Sequence, residues 1–160
     1  MSCISRLRGI IAWMQVLSPE ALLLHKESLR ANMEACMRAL IIDDDQTFCE
    51  FLTEVLADKG IEGIWTTDGG EGYTMCCCQP FDLVISDVRM PSLLGTELAA
   101  RLKRDNPHVK IILISAFADD STIDISTSLG IPLLSKPFVP DRLLEVIAQL
   151  LDLRIGKLGQ

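Results

Sequence analysis

The sequence predicts an α/β domain built on a doubly wound, five-stranded parallel sheet. From Arg38 onward, short apolar runs alternate with segments whose apolar residues recur at helical spacing, a pattern typical of a parallel sheet covered by helices on both faces. Polar residues follow several of these runs, as expected where parallel strands end at a ligand-binding edge. The strands are predicted over residues 39–42, 63–66, 83–86, 111–115 and 133–134.

The segments between these runs predict five helices. In the first, Phe48, Leu52 and Leu56 recur at helical spacing and Gly60 follows as an end signal. The fourth, around residues 121–128, is rich in β-branched and hydroxyl side chains that resist helix formation. We therefore expect the fourth helix to be short or mobile. The remaining helices are predicted over residues 70–78, 96–104 and 141–151.

Composition restricts the class of protein. A chain of 160 residues suffices for one domain of ordinary size and leaves no room for a second full domain. Its 15 basic and 22 acidic residues give a formal net charge of −7, so we do not expect direct DNA binding through a basic surface.

The six cysteines include no C-x-x-C pair and no histidine at ligand spacing. Neither a zinc site nor a disulfide framework is therefore predicted, and a reducing cytoplasm is the expected location. The run Cys76-Cys77-Cys78 raises a redox hypothesis. Three consecutive residues on a helix point in different directions, so packing as small apolar side chains is the simpler interpretation.

Residues 1–37 are interpreted as an N-terminal extension, partly helical or loosely ordered, before a main domain at 38–153 and a C-terminal tail at 154–160. Within the extension, Ser18-Pro19 is a helix-start signal. The apolar run 9–17 is too short to span a bilayer and lacks a cleavage site, so no membrane anchor is expected. Since Met37 directly precedes the first strand, it is an alternative start of the natural chain.

Acidic and other polar residues follow the predicted strands. Asp43-Asp44-Asp45 follows the first strand, Asp87 the third and Lys136 the fifth, while Ser115 ends the fourth. Because the carboxyl ends of parallel strands share one edge, these side chains should converge. Crowded carboxylates repel one another, and a bound cation relieves that repulsion. All-oxygen ligation favours Mg²⁺, which leaves coordination positions for a phosphoryl oxygen.

In their sequence context these residues resemble the response-regulator receiver domains of two-component signal transduction. The resemblance runs from about Arg38 to Leu151 and leaves the N-terminal extension outside. It implies a flavodoxin-like (βα)5 fold with strand order 2-1-3-4-5. The matching motifs are Leu40-Ile41-Ile42-Asp43-Asp44-Asp45, Val84-Ile85-Ser86-Asp87-Val88-Arg89-Met90-Pro91, Ile114-Ser115-Ala116 and Lys136-Pro137-Phe138.

The resemblance also implies a set of metal ligands. Asp43 and Asp44 would hold magnesium directly or through water. Asp87 and the backbone carbonyl of Arg89 would complete the protein ligands.

The same resemblance implies the catalytic roles. Asp87 would be the phosphoacceptor, and the Ser115 hydroxyl would bond a phosphoryl oxygen. Lys136 would supply positive charge first to Asp87 and then to the phosphoryl group. The Lys136-Pro137 peptide bond would be cis, a form realistic only before proline.

The function implied is that of a phosphoacceptor in a phosphorelay. A histidine kinase or phosphotransfer protein would donate the phosphoryl group to Asp87. The domain would be a self-phosphorylating and self-dephosphorylating switch rather than a conventional enzyme. Since only residues 152–160 follow the resemblance, output is expected through a downstream effector protein or a homodimer. The expected contact surface is the fourth helix, fifth strand and fifth helix.

Two positions, Leu133 and Leu94, depart from the family pattern. Leu133 stands where many relatives carry an aromatic switch residue, so we expect the signal to pass through the loop after Ser115 and the fourth helix. Leu94 replaces a commonly acidic residue, a change we expect to be tolerated. Arg89 and Phe117 are expected to flank the phosphoryl group, hinder water and lengthen the phosphorylated lifetime.

Two alternatives remain open. Asp43-x-Asp45-x-Thr47 is similar to the opening motif of haloacid dehalogenase-type phosphatases, with Asp43 as nucleophile and Asp45 as general acid and base. That interpretation leaves Asp87 without a role. The second alternative is a receiver fold that acts as a scaffold without phosphorylation.

Overall fold

Five strands and five helices alternate along residues 37–151, the part of the chain that this computed structural model describes. All strands pair in parallel, in the order β2-β1-β3-β4-β5, which confirms the predicted sheet and strand order. The strands are β1 (Arg38–Ile42), β2 (Glu62–Thr66), β3 (Leu83–Asp87), β4 (Lys110–Ser115) and β5 (Leu133–Ser135). The helices are α1 (Gln46–Ala57), α2 (Gly69–Cys78), α3 (Gly95–Asp105), α4 (Asp120–Ser128) and α5 (Pro140–Leu150).

The sheet is buried on both faces because helices cover each side. Successive strand residues point to opposite faces, so Ile41 packs in one apolar cluster and its neighbour Leu40 in the other. Helices α1 and α5 cover the first face, and α3 with part of α2 covers the second. This double burial explains why β1, β3 and β4 are almost continuously apolar.

The ends of the helices follow from local chemistry. The carboxylates of Asp45, Asp68 and Asp119 accept backbone N–H groups at the starts of α1, α2 and α4, which satisfies donors that a helix leaves unpaired. Gly60 and Gly130 follow α1 and α4 with φ of 77° and 63°, a left-handed conformation that favours glycine. Because each helix follows a strand, the three aspartate-capped helix starts lie at the edge where the strands end.

The limits of the strands and of helices α2 to α5 differ from the sequence predictions by no more than one residue at either end, which is within the usual uncertainty of element ends. Helix α4 has nine residues and is the shortest helix in the range 37–151, as predicted. Of the predicted extension only Met37 is among the described residues, and its carbonyl accepts the Glu62 N–H at 2.8 Å. The Ser18 helix start and the tail at 154–160 lie outside them. No helix within the described range is long and apolar enough to cross a membrane.

Candidate functional site

The ammonium of Lys136 lies between two buried carboxylates. Its Nζ is 2.5 Å from Asp43 Oδ2 and 3.0 Å from Asp87 Oδ1. The side chains of Asp43 and Asp87 are 3% and 9% exposed, and that of Lys136 is 23% exposed. Strands β1 and β3 are neighbours in the sheet, so their ends bring the two acids together. The structure thus joins three of the predicted site residues in one cluster.

Burial and pairing have opposite effects on these charges. Burial raises the pKa of Asp43, although hydrogen bonds from Lys136 and from the Asp45 N–H partly offset it. Burial alone would lower the pKa of Lys136, but its bonds to Asp43 and Asp87 outweigh burial and raise that pKa. The ammonium is therefore held in its charged form. With all three groups ionised, the cluster carries a net negative charge and attracts a cation.

The Asp87 carboxylate is held at both oxygens. Oδ1 meets Lys136, and Oδ2 accepts the backbone N–H of Arg89 at 2.7 Å. The chain returns close to this point at Gly95, where a Cβ atom would lie only 2.0 Å from the Asp87 backbone oxygen. Glycine is required there because any side chain would collide with the backbone. The Asp87 carboxylate is thus held by one side-chain contact and one backbone hydrogen bond, and its backbone packs against the start of α3.

Ser115 lies at the end of β4 but its hydroxyl is turned toward the following loop. Ser115 is 1% exposed, and its Oγ donates to the Phe117 carbonyl at 2.7 Å and accepts the Phe117 N–H at 3.2 Å. Its backbone carbonyl accepts the Lys136 N–H at 2.8 Å. The Lys136-Pro137 bond is cis, as expected. Ser115 therefore lies beside the cluster, and its hydroxyl bonds the loop rather than Asp87.

The three consecutive acids at the end of β1 have three different environments. Asp43 is buried in the cluster, whereas Asp44 is exposed and lines an open cleft of about 520 Å³ together with Arg89 and Asp119. Asp45 uses its Oδ1 to accept the Phe48 N–H at 3.2 Å and cap α1. Asp45 is thus engaged in a helix cap, which gives no support to a general acid and base at this position.

The oxygen atoms around Asp43 and Asp87 fit magnesium. Within residues 37–151 no three acidic, histidine or cysteine side chains form a ready-made metal cage, and Asp44 stands apart from the paired acids. Mg²⁺ needs only one or two carboxylates because it retains several waters. The residues that would hold it are Asp43, Asp87, Asp44 and the backbone carbonyl of Arg89. All four groups are hard oxygen donors, as magnesium prefers.

The Arg89 side chain has two partners in the segment between β4 and α4. Its guanidinium carbon lies 5.3 Å from the centre of the Phe117 ring, and its Nη2 lies 3.5 Å from Asp119 Oδ2. Arg89 and Phe117 were predicted from the sequence to lie at the site, but Asp119 was not predicted as a partner of Arg89. The signal for it was present, since Asp119 precedes Ser121 and Thr122 as a helix cap does.

Phe48 was also missed as a neighbour of the site. The Lys136 Nζ lies 4.2 Å from the centre of its ring, and the Phe138 ring meets Phe48 edge-on at 5.9 Å. An aromatic face attracts a cation, so Phe48 helps to hold the ammonium. Helical spacing identified Phe48 only as a packing residue, because its contact with Lys136 spans most of the chain.

The chain belongs to the response regulator receiver domain family, whose sequence profile matches residues 39–148. It is 33% identical over 110 residues to a response regulator receiver protein of Anaeromyxobacter sp. (strain Fw109-5), a match that covers 68% of this chain and 46% of that protein. The chain spans about half the length of this and of two other curated relatives that it matches. The predicted family is thereby confirmed.

Two solved structures illustrate the likeness of fold. A receiver domain protein of Methanospirillum hungatei JF-1, described as CheY-like, superposes with a TM-score of 0.71 and 29% identity, over 74% of this chain and 95% of that one. The response regulator TrrA of Thermotoga maritima, solved in complex with Mg(2+)-BeF, gives a TM-score of 0.66 and 31% identity, over 71% of this chain and 98% of that one.

Proposed function

We propose that this chain is a phosphoacceptor of a two-component phosphorelay and takes its phosphoryl group on Asp87. The observation that carries the proposal is the ion-paired cluster, in which Lys136 contacts both Asp43 and Asp87 at the strand ends. The donor would be a phosphohistidine on a histidine kinase or on a phosphotransfer protein. Membership of the receiver family supports this choice of chemistry.

In the proposed reaction an oxygen of the Asp87 carboxylate attacks phosphorus, and the bond from phosphorus to the donor nitrogen breaks. The Arg89 N–H and Lys136 orient the carboxylate before the attack, so catalysis rests on positioning and on charge. Magnesium, held by Asp43, Asp44, Asp87 and the Arg89 carbonyl, would neutralise charge on the phosphoryl oxygens. That the TrrA structure contains Mg(2+)-BeF supports this cofactor.

Lys136 and Ser115 would stabilise the product. The Lys136 ammonium already touches the attacked carboxylate, so it can follow negative charge onto the phosphoryl oxygens. The Ser115 hydroxyl would exchange its bond with the Phe117 carbonyl for one with a phosphoryl oxygen. Hydrolysis would later return inorganic phosphate and the free carboxylate. The domain is thus proposed as a switch that carries out both steps on itself.

For output, we propose that a downstream effector protein or a second copy of the chain contacts α4, β5 and α5. Helix α4 exposes Ile123 and Ile125 at 45% and 38%, which supports a protein partner. We predict no direct DNA binding, because the chain carries a formal net charge of −7 and DNA is itself negatively charged. YbdJ of Bacillus subtilis is named a transcriptional regulatory protein, but the match covers only 54% of it. A cytoplasmic location is part of the same proposal.

The test is phosphorylation with a small phosphodonor and magnesium, followed by peptide mapping of the modified carboxylate. We expect modification at Asp87 and none in Asp87→Asn. Asp45→Asn is the matched control, because asparagine preserves the α1 cap and should leave modification unchanged. Modification at Asp43 with loss in Asp45→Asn would instead favour the phosphatase alternative. An unmodified wild type would favour the scaffold.

A further inference from the structure

Arg89 connects the proposed phosphoacceptor to the start of α4. Its backbone N–H binds Asp87 Oδ2 at 2.7 Å, which brings its own side chain within reach of a group attached to that carboxylate. In the structure the guanidinium is directed elsewhere, since it lies over the Phe117 ring and pairs with Asp119 Oδ2 at 3.5 Å. Arg89 thus contacts Asp87 through its backbone N–H and Asp119 through its guanidinium.

Asp119 uses its two oxygens for two purposes. Oδ1 accepts the Thr122 N–H at 2.9 Å, the Thr122 hydroxyl at 2.7 Å and the Ser121 hydroxyl at 2.9 Å. Oδ2 is the atom that faces Arg89. The two oxygens of a carboxylate move together as one rigid group. A change in the force that Arg89 exerts on Oδ2 therefore also shifts Oδ1, the oxygen that caps α4. Arg89 is therefore linked mechanically to the first turn of α4.

The present partners hold Arg89 only weakly. The side chains of Arg89 and Asp119 are 58% and 46% exposed, and Phe117 is 66% exposed. Ion pairs between such exposed side chains contribute little, because water competes for both charges. A phosphoryl group carries more charge than a carboxylate and can take two parallel hydrogen bonds from a guanidinium. It is therefore the stronger acceptor for Arg89.

Leu133 offers no polar connection between the site and α4. It is an aliphatic residue that packs against the apolar cluster beneath α2 and α3, so it has no polar group with which to report the state of the site. Ser115 bonds both the N–H and the carbonyl of Phe117, and Phe117 in turn lies under Arg89. Two polar connections, one from Ser115 to Phe117 and one from Arg89 to Asp119, therefore lead from the site toward α4.

On the assumption that Asp87 is phosphorylated as proposed above, we propose that Asp119 and the phosphoryl group compete for the Arg89 guanidinium. Phosphorylation draws Arg89 away from Asp119, and release of Asp119 alters the first turn of α4. Asp119 is then a negative regulator of phosphoryl binding. Asp119 acts on the phosphoryl group only through Arg89, whose guanidinium it positions.

A double-mutant cycle tests the competition. The affinity for beryllofluoride in the presence of magnesium is measured by fluorine NMR in wild type, Asp119→Asn, Arg89→Ala and the double variant. Asparagine is itself a good helix cap, so Asp119→Asn removes the charge and keeps the start of α4. We expect Asp119→Asn to raise affinity roughly 2- to 5-fold when Arg89 is present, the range that loss of a weak exposed ion pair allows, and to have a much smaller effect in the Arg89→Ala background. Arg89→Lys should restore part of the coupling.

Hydrogen exchange supplies a second readout that does not depend on affinity. Beryllofluoride should change exchange at the Thr122 amide in wild type and leave it unchanged in Arg89→Ala at saturation. A change that persists in Arg89→Ala, or an Asp119→Asn effect equal in both backgrounds, would overturn the competition while leaving the proposed function intact. If wild type fails to bind beryllofluoride and matches Asp87→Asn, the proposed function fails and this inference falls with it.

Discussion

The backbone oxygen of Asp87 occupies the space that a Cβ atom at Gly95 would need. A Cβ atom on Gly95 would be 2.0 Å from that oxygen and 2.9 Å from the Val88 Cα, and the Gly95 N–H donates to the Val88 carbonyl at 2.9 Å. The start of α3 is therefore packed directly against the turn that follows β3. This contact holds the backbone of Asp87, the residue that carries the proposed nucleophile.

Gly95→Ala should accordingly damage both stability and phosphorylation. The collision is with backbone, which cannot rotate away, so we expect a loss of about 1–3 kcal/mol in the free energy of unfolding. Urea denaturation measures this loss. Gly70→Ala is the matched control, since Gly70 is an exposed residue of α2 and its added Cβ would meet a side-chain oxygen of Asp68 at 3.1 Å, which can shift where backbone cannot. Equal stability of the two variants would contradict the prediction.

Lys136→Met should abolish phosphorylation and lower stability. It leaves the buried carboxylates of Asp43 and Asp87 without their shared ammonium, and an uncompensated buried charge is costly, on the order of 1–3 kcal/mol or more. Adding Asp43→Asn removes one of the two charges and should recover part of the stability, but no phosphorylation. If Lys136→Met alone is as stable as wild type at neutral pH, the cluster does not contribute in this way.

The four described cysteines should fall into two classes of reactivity. Burial raises the pKa of Cys49 to about 11 and that of Cys76 to about 12, so both stay protonated near pH 8 and a thiol is a poor nucleophile. Cys77 and Cys78 are exposed. We expect iodoacetamide at pH 8 to label Cys77 and Cys78 well before the other two, as read by peptide mass spectrometry. Rapid labelling of Cys76 would revive the redox hypothesis for this run.

The Arg89→Ala, Phe117→Ala double variant should lose its phosphoryl group severalfold faster than wild type. Arg89 lines the cleft and its guanidinium lies over the Phe117 ring, so removal of both side chains should open a path for the attacking water. The decay of phosphorylated protein after removal of the donor measures this rate. Phe51→Ala, which removes another exposed aromatic side chain on α1, should decay at the wild-type rate. Identical decay in all three proteins would show that Arg89 and Phe117 do not keep water from the phosphoryl group.

Phosphorylation should alter hydrogen exchange between residues 116 and 135. This range contains the loop after Ser115, helix α4 and all of β5. Helix α4 offers few buried side chains, since only Thr122 and Ser126 are buried within it, so its opening free energy should respond readily to the site. A phosphorylated sample whose exchange is unchanged across this range would contradict the route of signalling proposed for this chain.

The sequence predicted the sheet because burial on both faces leaves a clear pattern. Leu40, Ile41 and Ile42 are all fully buried, and a continuous apolar run of that kind occurs in central parallel strands. The positions of Asp43, Asp87 and Lys136 followed from the same pattern, since each one ends or follows a strand. Their meeting at one edge is a property of the topology.

The orientation of individual side chains could not be predicted in the same way. The turn of the Ser115 hydroxyl toward Phe117 depends on loop dihedral angles that no periodicity encodes. The pairing of Arg89 with Asp119 joins two different loops, and the contact of Lys136 with Phe48 joins residues 88 positions apart in the chain. Such contacts arise only once the sheet has brought its loops together.

Capping by Asp45, Asp68 and Asp119 has an electrostatic consequence for the approach of a donor. Each helix start carries a partial positive charge from its aligned peptide dipoles, roughly half an elementary charge. The starts of α1, α2 and α4 lie at the edge that holds the buried acids. The capping carboxylates and the buried acids outweigh these partial charges, so an anionic donor meets a negative field at this edge that Lys136 and a bound cation must offset.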